Sequence, residues 1–465
     1  MSSRPSPSSH VDSRGARADR GQGGRFIQDL GNGLLLRQAT PEDAEALVAF
    51  HSDMHREPGA EGPDVGIAAS TRDMMKGSHP TFKAGDFTLV EDSSTGAIVS
   101  SMCLIAQSWT YGGIEFGVGR PELVGTHPDY RRRGLVRAQF KTIHQWSSQR
   151  GESLQAITGI PWYYRQFGYE MALALGGGRL GYGSHVPKLK DGEAEPYHVR
   201  LATRTDLPFI TEAYQRGCRR SLVSCIRDEV LWQYELAGRS ERCFDRRVLC
   251  IVETPTGRPV GFLAHSTALW RGRSAAISYE LEPGISWLAV TPTVIRYLWA
   301  RGQEHAVRDK KQTLATFAFL LGVEHPVYEA MHAQMPQTTK PYAWYVRVPD
   351  LLGFIRRVAP VLERRLASSV LVGHSGELKI SRYRDGLHLS FKQGQLVSID
   401  PWQPAGAEDG GAGFPDLTFL QLLFGYRSLE ELKYAFPDCW TLNDEARALL
   451  EALFPKELSN VWGLA

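Results

Sequence analysis

The 465-residue chain lacks a surplus of either charge: 53 Lys and Arg oppose 51 Asp and Glu. A balance so close to neutral argues against nucleic acid or an anionic membrane as the main partner. It also lacks an apolar run of the ~18 residues that span a bilayer. Cysteine is scarce, with 6 in all, and no two stand at the spacing of a zinc knuckle or a redox dithiol. A disulfide framework and a structural metal are therefore not expected, and the thiols read as reduced core residues of a cytoplasmic protein. Residues 1–24 carry Ser, Arg, Gly and Pro without an apolar stretch. That composition fits a disordered tail and not a secretory signal.

What the sequence does contain is a repeat. Leu36-Arg37-Gln38-Ala39-Thr40 leads into an apolar-periodic stretch, and Val199-Arg200-Leu201-Ala202-Thr203 does the same 163 residues later. Each reads as a short strand, a Thr N-cap and an amphipathic helix. Farther on, Phe87–Val90 and Val248–Ile251 each run through a Thr-Gly turn into a second strand, at an offset of 161 residues. A near-constant offset implies duplication of a whole domain of about 160 residues. Glycines at 176–178 and the stretch Pro187–Pro196 mark the linker. From about Pro349 the pattern changes. A helix over 351–366 has a basic face, and strands follow over 377–381, 387–391 and 396–399. Helices are expected at 417–424, 428–435 and 443–453. The expected division is a tail at 1–24 and domains at 33–185, 196–348 and 349–465.

The chemistry concentrates in one segment. Glu122–Thr126 reads as an apolar strand ending near His127-Pro128. Then come Arg131, Arg132, Arg133 and Gly134, and a helix to about Gln149. The first N–H groups of a helix lack intrahelical partners and carry the positive end of its dipole. With a Gly at the turn and Arg side chains nearby, they suit a pyrophosphate. Three arginines alone would read as a solvated turn; the strand and helix around them give the run its meaning.

Val-x-Thr-His-Pro-x-Tyr-Arg-x-Arg-Gly-Leu resembles the acetyl-CoA motif of the GCN5-related N-acetyltransferase (GNAT) superfamily, with Val136 where a small residue is usual. The three-part organisation is similar to one subfamily, the enhanced-intracellular-survival acetyltransferases. These join two GNAT-like mixed-sheet α/β domains to an α+β domain resembling sterol carrier protein. The resemblance implies pantetheine pairing with Val124, Gly125 and Thr126, and phosphates on Arg131, Arg132, Arg133, Gly134, Leu135, Val136 and Arg137. Gly159 and Ile160 would face the reactive end. Pro161–Tyr169 is similar to the family's Tyr-x-x-Phe-Gly-Tyr signature, which implies that Tyr164 protonates the departing thiolate. Three bases stand as candidates: the carboxylate of Ala465, which the subfamily's pattern implies, Glu122, and His127. A water chain is a fourth.

The implied reaction is acetyl-CoA-dependent transfer to an amine of aminoglycoside, polyamine or lysine type, by direct attack in a ternary complex. The alternatives are a non-catalytic acyl-CoA- or lipid-binding protein and a longer-chain acyltransferase. Acidic residues in the loop 51–66 (Asp53, Glu57, Glu61, Asp64) would suit a cationic acceptor, although a solvated loop is the plainer reading. In the second copy, Val290–Leu298 stands in register with the motif and has neither the Gly nor the Arg cluster, so no pyrophosphate is expected there. Relatives form hexamers, which makes a homo-oligomer an implied state.

Overall fold

The computed structural model describes residues 19–20, 26–309, 312–406 and 409–462. Most of 1–24 and the terminal Ala465 lie outside the described residues. Within the former, Asp19–Arg20 pair antiparallel with Phe26 and Ile27.

The two copies begin alike because they share one local device. Thr40 and Thr203 are extended N-caps whose amides donate to Asp43 and Asp206, at 2.7 and 2.8 Å. A single turn of 3-10 helix then opens into the helices Ala44–Met54 and Leu207–Cys218. The duplication reaches the ion pairs as well. Arg37 bridges Asp43 and Glu91, and Arg200 bridges Asp206 and Glu253.

Three mixed or largely antiparallel sheets result. The first runs from the hairpin Phe26–Gly31/Leu34–Gln38 through Phe87–Asp92 to the long hairpin Ala97–Tyr111/Ile114–Thr126. The strand Leu154–Ile157 follows, parallel to Ile114–Thr126, with the helix Leu135–Gln149 as the crossover. Its next neighbour is not from the same copy. Tyr342–Arg347, from the end of the second copy, lies between Leu154–Ile157 and Glu170–Leu175. The exchange is mutual. Gly178–Tyr182 leaves the first copy and sits between Thr316–Phe319 and Gln337–Thr339 in the second sheet. Neither sheet is therefore built wholly from one stretch of sequence.

The second sheet otherwise orders His198–Leu201, Arg247–Glu253, Pro259–Ser266, Arg273–Leu281 and Thr316–Phe319 as the first sheet orders their counterparts. The helix after Arg273–Leu281 starts at Trp287, capped by Ser286. Thr291-Pro292 thus lies inside that helix and is not the counterpart of His127-Pro128.

The third part has the expected helix, here Leu351–Ala367, and the strands Gly376–Ser381, Gly386–Lys392 and Gln395–Trp402. The basic helix face docks on the first copy. Arg364 donates to the Gly112 carbonyl at 2.9 Å, and Arg365 to the Tyr111 hydroxyl at 3.2 Å. Gly112 accepts this approach because a Cβ there would stand 2.7 Å from Val361. One apolar core joins the parts, running from Trp109 and Trp344 through Trp232 and Trp462 to Phe354 and Phe424. Among the described residues no helix is long and apolar enough to cross a membrane.

Candidate active site

The strand Ile114–Thr126 changes character midway. It pairs with Leu154–Ile157 only at Val118–Leu154 and Gly119–Gln155, and the two strands then part. On its other side Cys103 faces Glu122 and Ser101 faces Gly125, so Leu123 and Val124 oppose Met102 alone. Leu123 carries the bulge, at a φ of 53°. The outcome is a strand end whose backbone groups on the open edge have no strand partner, beside a wedge-shaped gap. Gly125 keeps that gap open, since a Cβ there would come within 3.3 Å of Phe50 and Met54.

The turn that follows is wound by two left-handed residues, Arg132 at φ 61° and Gly134 at φ 76°. Gly134 is the N-cap of the helix Leu135–Gln149, has no side chain to occupy the first amides, and is followed by no acidic residue in the first turn. These amides therefore remain free for an anion. They open on a cleft of about 610 Å³. The parted strand (Val124, Gly125, Thr126) forms one wall. Arg131, Arg132, Gly134, Leu135, Val136 and Arg137 form the floor, and Ile160, Tyr163 and Phe167 the far side. Among the described residues no carboxylate lines it. Arg133 turns away, donating to the Asp129 carbonyl at 2.9 Å with its guanidinium 4.7 Å from the Tyr130 ring. Gly159 lies just beyond the lining, its carbonyl taking the Tyr342 hydroxyl at 3.2 Å.

Tyr164 sits on the short 3-10 turn Tyr163–Phe167, which Trp162 enters at a φ of 62° and Gly168 closes at 84°. The Tyr345 hydroxyl accepts from the Trp162 amide at 2.6 Å, so the exchanged strand holds this turn in place. Phe140, Tyr169 and Tyr345 pack around the Tyr164 ring. Its hydroxyl lies beside Gly159, 3.6 Å from where a Cβ would stand. Burial, aided by the nearby Glu122 carboxylate, pushes the Tyr164 phenol well above its usual range. It is held protonated, as a proton donor must be.

Glu122 lies on the parted strand and forms an ion pair with Arg120, whose fully buried guanidinium stacks 4.3 Å from the Trp344 ring. Burial pushes Glu122 up to about 7, against the pull of Arg120. His127 instead caps its own turn, accepting from the Asp129 amide at 3.4 Å. Ala465 falls outside the described residues. The chain leading to it pairs Ser459–Asn460 in parallel with Val223–Cys225 and lodges Trp462 against Trp232 and Tyr214.

A second, larger cavity of about 1490 Å³ lies between the first two sheets. Thr158, Trp344 and Trp462 are in its wall, whereas Ile160 belongs to the cleft. Gly159, beside the Tyr164 hydroxyl, stands in the chain between these two lining residues. Arg120, Trp344 and Tyr345 were not foreseen as parts of this region. The acidic loop does not line either space with carboxylates: Asp64 caps the helix Val65–Met75, accepting from Ile67 at 2.8 Å, and Asp53 lies 3.5 Å from Arg56. In the second copy the strand Arg273–Leu281 leads to Glu282, which pairs with Arg216, and no arginine precedes the helix at Trp287. A carboxylate at that turn opposes a phosphate.

A parted parallel pair, a strand bulge and an anion-ready helix N-terminus together shape the first copy's cleft. Residues 36–172 match the family model of the acetyltransferase (GNAT) domain. None of the curated proteins matches by sequence. Solved structures share the three-sheet fold. A probable N-acyltransferase of unknown function from Enterococcus faecalis superposes with a TM-score of 0.62 at 11% identity, over 92% of this chain and 97% of that one. A GCN5-related N-acetyltransferase from Kribbella flavida gives 0.60 at 15% identity, over 93% and 98%. Eis1 from Mycobacterium abscessus gives 0.54 at 13% identity, over 92% and 99%.

Proposed function

We propose that the protein transfers an acetyl group from acetyl-CoA to an amine, in a ternary complex assembled beside Gly159. The observation that carries this reading is the cleft. It is basic, free of carboxylates among the described residues and built on unpartnered helix amides, and it ends beside a protonated tyrosine. Those residues fit a pyrophosphate followed by a pantetheine arm. Arg131, Arg132, Arg137 and the amides after Gly134 would hold the phosphates, and the free edge of Val124–Thr126 would pair with the amide groups of the arm.

Bound acetyl-CoA supplies a thioester, an acyl group activated toward nitrogen. The larger cavity leads the amine to it. Glu122, with a pKa near neutrality, accepts the proton that the amine must shed as the new C–N bond forms. Tyr164 donates its proton to the sulfur as the C–S bond breaks. Arg120 orients the Glu122 carboxylate, and Trp344 fixes Arg120 in turn. The second copy supplies walls and no second cofactor site.

The test is release of free thiol from acetyl-CoA with a panel of amines. Release that depends on an amine and falls in Tyr164→Phe supports transfer. Tight acetyl-CoA binding with no turnover on any amine would leave a binding protein instead.

A further inference from the structure

The larger cavity has a chemistry of its own, and it is not that of a site for a polycation. Four arginines reach its wall, Arg242, Arg246, Arg247 and Arg308. Arg247 and Arg308 each spend guanidinium hydrogens on backbone carbonyls, at Phe244 and Thr267. The guanidinium groups of Arg242 and Arg246 make no hydrogen bond or ion pair with any described residue, and Arg246 is half-buried in the wall. A half-buried guanidinium left without a partner has lost part of its hydration and gained nothing in exchange.

Carboxylates do not offset this. Of the three in the wall, Glu280 is already paired with Arg220 and approached by His325 at 3.5 Å. Glu241 is exposed, and Asp309 follows the far end of the helix Trp287–Arg308. The remaining surface mixes aliphatic and aromatic side chains with a few neutral polar ones and His305. Trp270 and Phe244 are 54% and 40% exposed, and Trp344 and Trp462 complete the apolar wall. At about 1490 Å³ the space exceeds the ~300–1,000 Å³ that suits a drug-sized molecule.

Resting on the transfer reading above, we infer that the acceptor is an amphipathic amine of peptide size, with an aromatic or apolar body and an anionic group that Arg246 and Arg242 receive. The amine end is directed toward Thr158 and the neighbouring Gly159, and the oxyanion sits at Arg246 and Arg242. A guanidinium fork matches a carboxylate or a phosphate equally well, so the shared requirement is an oxyanion.

The experiment is calorimetric titration of the full chain, saturated with CoA, with a set of tri-phenylalanine peptides having free α-amines. One ends in a carboxylate, one in an amide, and one is an amide carrying a phosphotyrosine; spermidine is the cationic control. The expected result is that at least one anionic peptide binds ten-fold or more tightly than the amide, and that spermidine binds more weakly than either. The tighter of the two anions identifies the oxyanion. Arg246→Ala narrows the acid-over-amide ratio toward one, and Arg246→Lys restores part of it. Equal binding of acid and amide, preferred binding of spermidine, or no peptide binding would each overturn the inference. Acetyl-CoA affinity and thiol release in the same samples report on the transfer reading separately. A cavity that selects anions in a protein unable to release thiol would sink that reading and leave the cavity result standing.

Discussion

Tyr164, on its 3-10 turn, and Glu122, on the parted strand, are near enough for the glutamate's charge to bear on the phenol, and burial pushes both in the same direction, yet the consequences differ. The tyrosine, raised from an already high pKa, keeps its proton; the glutamate, raised to about 7, titrates near neutral pH, which suits the base proposed for it. Removing the phenolic proton donor in Tyr164→Phe is expected to lower kcat by about 10²-fold or more. The ring packing stays, so the Kd for acetyl-CoA should hold, as equilibrium titration will show. For Glu122 the sign follows from which form is needed. Below pH 7 the group keeps its proton and cannot accept another, so kcat/KM should rise with pH to a plateau, with a midpoint near 7. Glu122→Gln should erase that limb and lower the plateau by about 10²-fold. A profile unchanged in Glu122→Gln would move the base elsewhere, to the chain end or to water.

At the scale of elements, the exchanged strands place the tightest demands on sequence. Gly178 opens Gly178–Tyr182 at a φ of 150°, and a Cβ there would lie 2.0 Å from the Phe319 carbonyl oxygen. Gly178→Ala is expected to cost about 2–4 kcal/mol, from backbone strain together with forced displacement of the neighbouring strand; a denaturant titration measures it. The exchange was not legible in the sequence. Local signals report period, caps and turns, and these foretold the Thr40 and Thr203 caps, the hairpins and the Arg131–Gly134 turn. Tyr342–Arg347 reads as a strand in either sheet, because its nearly continuous apolar run says nothing about the partner. The first half of Ile114–Thr126 was hidden too. Its Gly117, Gly119 and Pro121 are poor strand residues, tolerated where the helix side crowds close and where the parallel neighbour is about to be given up. The same limits explain the site. The residues proposed to hold the cofactor are nearly contiguous and can be named from a motif, whereas Arg120, Trp344 and Tyr345 meet only through the exchange. Thr291-Pro292 misled because a Thr-Pro pair marks a strand end in one copy and lies within a helix in the other.

For the whole molecule, the exchange makes the active site a joint product of both copies. Tyr345 pins the Trp162 turn that carries Tyr164, Trp344 stacks on the arginine that holds Glu122, and both arrive on Tyr342–Arg347. The strand fills the space between Leu154–Ile157, whose four residues are all buried, and Glu170–Leu175. Without it, two apolar strands would face a gap in the sheet with unpaired backbone groups, an arrangement that invites aggregation. The third part adds a further constraint, since Arg364 and Arg365 clasp the turn of the long hairpin that carries the cofactor strand. A fragment of residues 26–186 should therefore not fold cooperatively by itself, even though it contains nearly every residue proposed to hold the cofactor. Expressed alone, it is expected to show no sharp thermal transition and no acetyl-CoA binding. Co-expressed with residues 187–465, it should recover both, because the missing strand then comes from the partner fragment. A cooperative transition in the isolated 26–186 fragment would show that the strand from the second copy is dispensable. The site would then belong to the first copy alone.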